Sequence, residues 1–293
     1  MSDAHPPHPR GRMLSRFDHV TLAVHDLDAA SAQYARLLGR PPRWRGSHPG
    51  SGSVAALFGV GNAVIELVAP DGDALEAEGL RTLLSTRGEG LVALGFATDD
   101  AAALSASLRA RGLRATPPEE GEARGDDGSL RSYRAVTLSP RATRGLTVLA
   151  VERADLATLA AAEPDAAALV DALDAVVLRT RDPDAAARLY GEGLGIRLAL
   201  DRKLGERRML FFRLGGVTLE IIEDGTLGAD DTFYGLSHRV RDLDAAHARL
   251  SAEGFALSEI RAGNKPGTTV FTVRDGTCGV PTLFLRDPSR DRA

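Results

Sequence analysis

Cysteine is nearly absent: Cys278 stands alone in 293 residues. One thiol excludes an internal disulfide framework and any zinc site built from several thiolates, so a reducing compartment is expected. Aromatic residues make up only 5% of the chain. There is no basic excess either: formal net charge is −4 and the sequence pI is near 6.0. That balance gives no basic face for nucleic acid. No apolar run approaches the roughly 18 residues of a membrane span, and residues 1–16 (MSDAHPPHPRGRMLSR) lack the apolar centre of a secretory signal. A cytoplasmic protein with neither nucleic-acid nor membrane partners is expected. The stretch 1–15 reads as a disordered tail in which His5 and His8 have no scaffold to make them ligands. What remains is ordinary for a globular protein, with 43% hydrophobic and 26% charged residues. The length favours two domains.

The chain repeats itself. Residues 17–39 (FDHVTLAVHDLDAASAQYARLLG) and 173–195 (LDAVVLRTRDPDAAARLYGEGLG) share Asp18/Asp174, Val20/Val176, Leu22/Leu178, Asp26/Asp182, Tyr34/Tyr190 and Gly39/Gly195 at a shift of 156. A weaker pair joins 91–112 to 233–254 at a shift of 142. The order is a, b, a′, b′, which is a duplicated domain of two units each. Each unit opens with a period-two apolar run, the mark of a strand with one buried face. An Asp suited to helix capping follows, then an alanine-rich amphipathic stretch ended by Gly39, Gly112, Gly195 or Gly254. Further strands are predicted around Arg43–His48, Val54–Gly59 and Ala63–Val68 in the first unit. They recur at Ile196–Asp201, Arg208–Leu214 and Val217–Ile222 in the third unit, and at Ala256–Arg261, Thr268–Arg274 and Pro281–Leu285 in the fourth. Each unit is thus βαβββ and the fold class is α+β, with paired units enclosing a cavity. The expected division is a domain over 16–152, a linker over 153–171 and a second domain over 172–288. The segment 115–132, rich in Pro, Gly and charge, reads as a mobile loop near a cavity mouth.

Four βαβββ units, the FDHVTLAVHDLDAA opening and the NAVIELVAP strand resemble the vicinal oxygen chelate superfamily. Its members include glyoxalase I, methylmalonyl-CoA epimerase, extradiol dioxygenases, fosfomycin-resistance transferases and bleomycin-binding proteins. The resemblance covers about 16–152 and 172–287. It is specific for fold rather than reaction. It implies metal ligands on the first and last strands of each unit. In the first unit these positions are His19 and Glu66; in the second, Ala93 and Leu149; in the third, Ala175 and Glu220; in the fourth, Gly235 and Leu283. An extradiol iron site in the second domain would have no histidine, which speaks against that activity.

The resemblance therefore implies one divalent ion (zinc, manganese, iron, nickel or cobalt) at His19 and Glu66, serving a lyase or isomerase. The ion would hold neighbouring oxygens of a small oxygen-rich or anionic molecule. Strand parity puts both residues on the face opposite Val20, Leu22, Ile65 and Leu67. A catalytic zinc commonly has three protein ligands, so the third would come from water, substrate or a loop residue such as His48. Glu66 is also the candidate catalytic base, should burial raise its pKa. The alternative is a metal-free protein that binds or sequesters a small molecule, and a homodimer fits either reading. Trp44 is placed as a lining residue of the first cavity. In the second, counting by twos from Ala175 and Gly235 brings Arg179 and Arg239 toward Glu220. The set forms either a pocket for a carboxylate or phosphate, or a self-neutralised cluster. His238 is expected in the core, and Cys278 lacks a paired base.

Overall fold

The computed structural model describes residues 13–161 and 169–290. The expected tail over 1–15 lies mostly outside these residues, as does the centre of the expected linker. The first unit comprises β1 (Arg16–Ala23), α1 (Leu27–Leu38), β2 (Trp44–His48), β3 (Ser53–Gly59) and β4 (Val64–Pro70). A helix that periodicity did not bring out, α2 (Glu78–Arg87), leads to the second unit. That unit comprises β5 (Gly90–Ala97), α3 (Ala101–Ala110), β6 (Glu119–Gly125), β7 (Leu130–Thr137) and β8 (Thr147–Glu152). A short helix, α4 (Leu156–Ala160), opens the connector. The third unit has β9 (Val170–Thr180), α5 (Pro183–Ala187), β10 (Arg197–Leu204), β11 (Arg207–Leu214) and β12 (Val217–Glu223). The fourth has β13 (Thr232–Val240), α6 (Leu243–Ala252), β14 (Arg261–Ala262), β15 (Thr269–Val273) and β16 (Thr282–Arg286).

The four unit helices start alike. Asp26, Asp100, Asp182 and Asp242 each accept a hydrogen bond from the backbone N–H three residues on, at 2.9–3.0 Å. Such caps satisfy one of the orphan amide donors of a helix start. The expected glycines close these segments with positive φ, from 70° at Gly195 to 85° at Gly254. Within each half the first strands of the two units run antiparallel, β1 beside β5 and β9 beside β13. Each pairs in parallel with the last strand of its own unit. Apolar residues on one face, among them Val20, Leu22, Ile65 and Leu67, meet Tyr34 and Leu37 of α1. The same cluster includes Val176, Leu178, Leu219 and Phe284, so one core runs through both halves. Asn62 stitches the halves by exchanging two 2.9 Å hydrogen bonds with the Leu173 backbone.

The halves differ in closure. The first is a closed barrel, in the order β1-β4-β3-β2-β6-β7-β8-β5. The second is an open sheet, β10-β11-β12-β9-β13-β16-β15-β14. The first closes where Gly46 and Ser47 of β2 pair with Gly125 and Arg124 of β6. A Cβ on Gly46 would lie 2.1 Å from the Arg124 carbonyl oxygen, so glycine is required at this approach. The segment 115–132, expected as a mobile loop, supplies strand β6 and the start of β7. Its exposed glutamates and glycines hid the pairing, because neither strand presents a clean apolar face. In the fourth unit the strand expected over Ala256–Arg261 reduces to Arg261–Ala262, with a lone bridge from Leu257 to Val273.

Candidate active site in the first barrel

His19, Thr21, His48, Glu66, Tyr133 and Arg153 line a cavity of about 190 Å³ inside the closed barrel. The strands explain the convergence. Thr21 of β1 stands beside Glu66 of β4, and His19 lies two residues back on the same face. The register between β1 and β5 shifts between Phe17 and His19. This irregularity brings two consecutive polar side chains together, and Asp18 Oδ1 lies 2.6 Å from His19 Nδ1. Gly95 of β5 makes room for the ring, since a Cβ there would come within 2.4 Å of His19.

Asp18 is fully buried and accepts two hydrogen bonds from Arg153, at 3.0 and 2.6 Å. A carboxylate on Nδ1–H fixes the ring orientation and leaves Nε2 as the free nitrogen. That nitrogen is 3.7 Å from Glu66 Oε2. Thr21 donates its hydroxyl to the same oxygen at 2.7 Å. The other oxygen, Oε1, is 3.3 Å from His48 Nε2. Among the described residues His48 Nε2 is buried with no well-aligned hydrogen bond, so its approach to Glu66 is close in distance but poorly aimed.

The expectation that His19 and Glu66 share one hollow matches this arrangement. His48 stands at the end of β2, where the strand predicted over Arg43–His48 also ends. The role of Glu66 as general base needs correction. Burial alone would raise its pKa, but His48, the charges of both imidazoles and the Thr21 hydroxyl outweigh it and hold the carboxyl well below the usual carboxylate range. A group so firmly ionised is a poor proton acceptor near neutrality and a good ligand for a cation. Trp44 does not line the cavity. Its ring lies behind His48, 5.9 Å from that imidazole, with the Arg131 guanidinium stacked on it at 4.8 Å. Among the described residues no three His, Cys, Asp or Glu side chains already converge as a metal-holding cluster. His19 and Glu66 supply two donors, and His48 is the nearest third.

Sequence reasoning missed Asp18, Thr21, Tyr133 and Arg153. Counting by twos from His19 would have found Thr21. The register shift that turns Asp18 inward leaves no mark in the sequence, and Tyr133 lies on the strand whose pairing was obscured by its charged neighbours.

The second half places its expected site residues differently. Glu220 lines a cavity of about 510 Å³, but Arg179 and Arg239 do not. Because β9 and β13 run antiparallel, four residues onward from Ala175 and from Gly235 leads to opposite ends of the pair. Arg179 pairs with Asp224 at 3.4 Å and stacks on Tyr234. Arg239 pairs with Asp171 at 3.1 Å. Burial, then Asp174, raise the pKa of Glu220 to about 7. His238 is fully buried against Phe284, and burial lowers its pKa to about 4. Cys278 is buried with its pKa pushed up to about 12, as befits an inert thiol.

The family model for the glyoxalase-like domain matches residues 17–195. The chain belongs to the glyoxalase-like, vicinal oxygen chelate superfamily. A second model, for the glyoxalase/bleomycin resistance protein/dioxygenase superfamily, matches residues 172–289. Among solved structures, a Mn(II)-bound glyoxalase from Novosphingobium aromaticivorans is similar with a TM-score of 0.68. It is 16% identical, and the match covers 94% of this chain and 82% of that one. A mutant of 4-hydroxymandelate synthase from Streptomyces coelicolor gives a TM-score of 0.67 at 16% identity, covering 93% and 92%. Methylmalonyl-CoA epimerase from Mycobacterium tuberculosis is 29% identical over 48% of this chain and 90% of its own, with a TM-score of 0.41. No curated protein matches the chain. The likenesses to the glyoxalase and the synthase show the fold. No helix among the described residues is long and apolar enough to cross a membrane.

Proposed function

We propose that the first barrel is a divalent-metal site at which a small oxygen-rich or anionic molecule undergoes isomerisation or lyase chemistry. The observation that carries this reading is the convergence of His19 Nε2 and His48 Nε2, at 3.7 and 3.3 Å, on the two oxygens of a Glu66 carboxylate held ionised, with His19 oriented by Asp18. Two imidazoles and one carboxylate suit Zn, Mn, Fe, Ni or Co, and the donor set does not select among them. His19 and Glu66 would hold the ion, with His48 as the nearest third donor. A bound ion supplies Lewis-acid polarisation of neighbouring substrate oxygens.

The chain's own residues account for the rest. Asp18 keeps His19 Nε2 directed at the cavity, and Arg153 holds Asp18 in the barrel wall through two hydrogen bonds. Thr21 holds one oxygen of Glu66 in place. Tyr133, whose ring packs edge-on to His48 at 6.3 Å, narrows the cavity beside that imidazole. At about 190 Å³ the space suits a compact molecule of a few heavy atoms. The rival reading is metal-free binding, which is favoured by the fact that no three ligands converge among the described residues.

Metal analysis of protein purified without an affinity tag separates the two. Stoichiometric metal in the native chain, lost in both His19→Ala and Glu66→Gln, supports the catalytic reading. Undiminished affinity for small-molecule ligands after chelation, with no metal in the native protein, supports the binder.

A further inference from the structure

We propose that the cavity of the second half is a separate, metal-independent binding site for an organic anion with an apolar body, whose charge is received by Arg213. The argument starts from the open sheet. Because β10 and β14 do not meet, the cavity reaches about 510 Å³ and opens to solvent on one side. That volume falls in the range of small-molecule pockets, roughly 300–1,000 Å³. At one end the wall is apolar, from Met209 and Phe211 of β11, Ile222 of β12 and Tyr234 of β13.

At the other end is a charge imbalance. Asp174 is engaged by Arg290 at 3.2 Å, and Asp287 by Lys265 and by Arg290. Among the described residues Arg213 has neither a hydrogen bond nor an ion pair, although it is half-buried. Burial, then the neighbouring Arg290, disfavour its charge, and Asp174 and Asp287 offset this only in part. A partly desolvated guanidinium with no directly paired carboxylate is costly to the free protein. An incoming carboxylate or phosphate matches its forked donors and relieves that cost.

Glu220 occupies the middle of the wall, on the strand facing Arg213 and two residues along in register. With its pKa near 7 it is largely neutral in mildly acidic solution and does not repel an anion there. Arg202 and Arg261 line the same cavity and add positive potential without an ion-pair partner among the described residues.

The test is calorimetric titration at pH 6 with 2-naphthoate, and with neutral 2-naphthalenemethanol as the uncharged counterpart. The expected result is one naphthoate per chain, with the alcohol at least tenfold weaker. Arg213→Met should weaken naphthoate at least tenfold while leaving the melting temperature equal or higher. A merely structural arginine would lower it. Arg213→Gln serves the same comparison if the methionine variant does not fold. Chelator and His19→Ala should leave naphthoate binding unchanged, which keeps this site distinct from the metal reading of the first barrel. Equal naphthoate affinity in both Arg213 variants, loss of binding with His19→Ala, or no binding to the native chain at millimolar naphthoate would each overturn the proposal.

Discussion

Glu66 and Glu220 hold the same place in the two halves, yet their surroundings push them in opposite directions. Each sits on the last strand of its unit, paired in parallel with the first. Opposite Glu66 is Thr21, whose hydroxyl donates to it, and His19 and His48 stand at its two oxygens. Opposite Glu220 is Val177, and the position of His19 is taken by Ala175. The first carboxyl is held ionised and the second is raised to about 7. Closure follows the same division. The half with the ionised carboxylate seals its barrel through Gly46 and Gly125, while the half with the protonatable one remains open. Duplication thus supplied two copies of one frame, and a few substitutions on its inner face gave them different chemistry.

The largest effect expected from breaking this contrast is at Arg153. Its side chain is 9% exposed and that of Asp18 is fully buried. Arg153→Leu strands a buried carboxylate, so unfolding in urea should show a loss of about 3–5 kcal/mol. The corresponding pair in the second half, Asp174 with Arg290, reaches water at both ends, so Arg290→Leu should cost distinctly less. Next comes the seam. Gly46→Ala forces a Cβ against the Arg124 carbonyl and should cost about 1–3 kcal/mol, with faster amide exchange in β6.

The pH response follows in size. Glu220 has a folded pKa above its ordinary 4.5, so between about pH 4.5 and 7 the folded chain keeps a proton that the unfolded chain has lost. Its contribution to stability is therefore present at the acid end and declines as pH rises through that window. Glu66 behaves oppositely, since its stabilising contribution is present above 4.5 and is lost as pH falls. Melting temperatures across pH 4–8 should show that Glu220→Gln removes the decline toward neutrality. A native profile unchanged by that variant would contradict the assignment. The smallest effect sharpens the comparison further. Val177→Thr gives Glu220 the hydroxyl that Glu66 already has, and should lower its titration midpoint by about one pH unit in a carboxyl NMR titration.

The frame of both halves was legible in the sequence because its signals are local. Asp caps, closing glycines and period-two apolar runs each act within one element, and the internal repeat multiplied them. The His19–Glu66 pairing was legible for the same reason, as strand parity requires only counting. What was hidden depends on how distant strands meet. Counting by twos in both strands brought Arg179 and Arg239 to one pocket, but antiparallel pairing carries them apart. The charged and glycine-rich run over residues 119–125 concealed a strand whose pairing completes the barrel. Asp18 turns inward only because β1 and β5 slip in register beside it. His48 reaches Glu66 from two strands away, across β3.

The most direct test of the account is calorimetric titration of chelator-treated protein with Mn²⁺. One site per chain is expected in the native protein and in Glu220→Gln, and none in Glu66→Gln. Equal Mn²⁺ binding by Glu66→Gln, or no binding to the native chain, would contradict it.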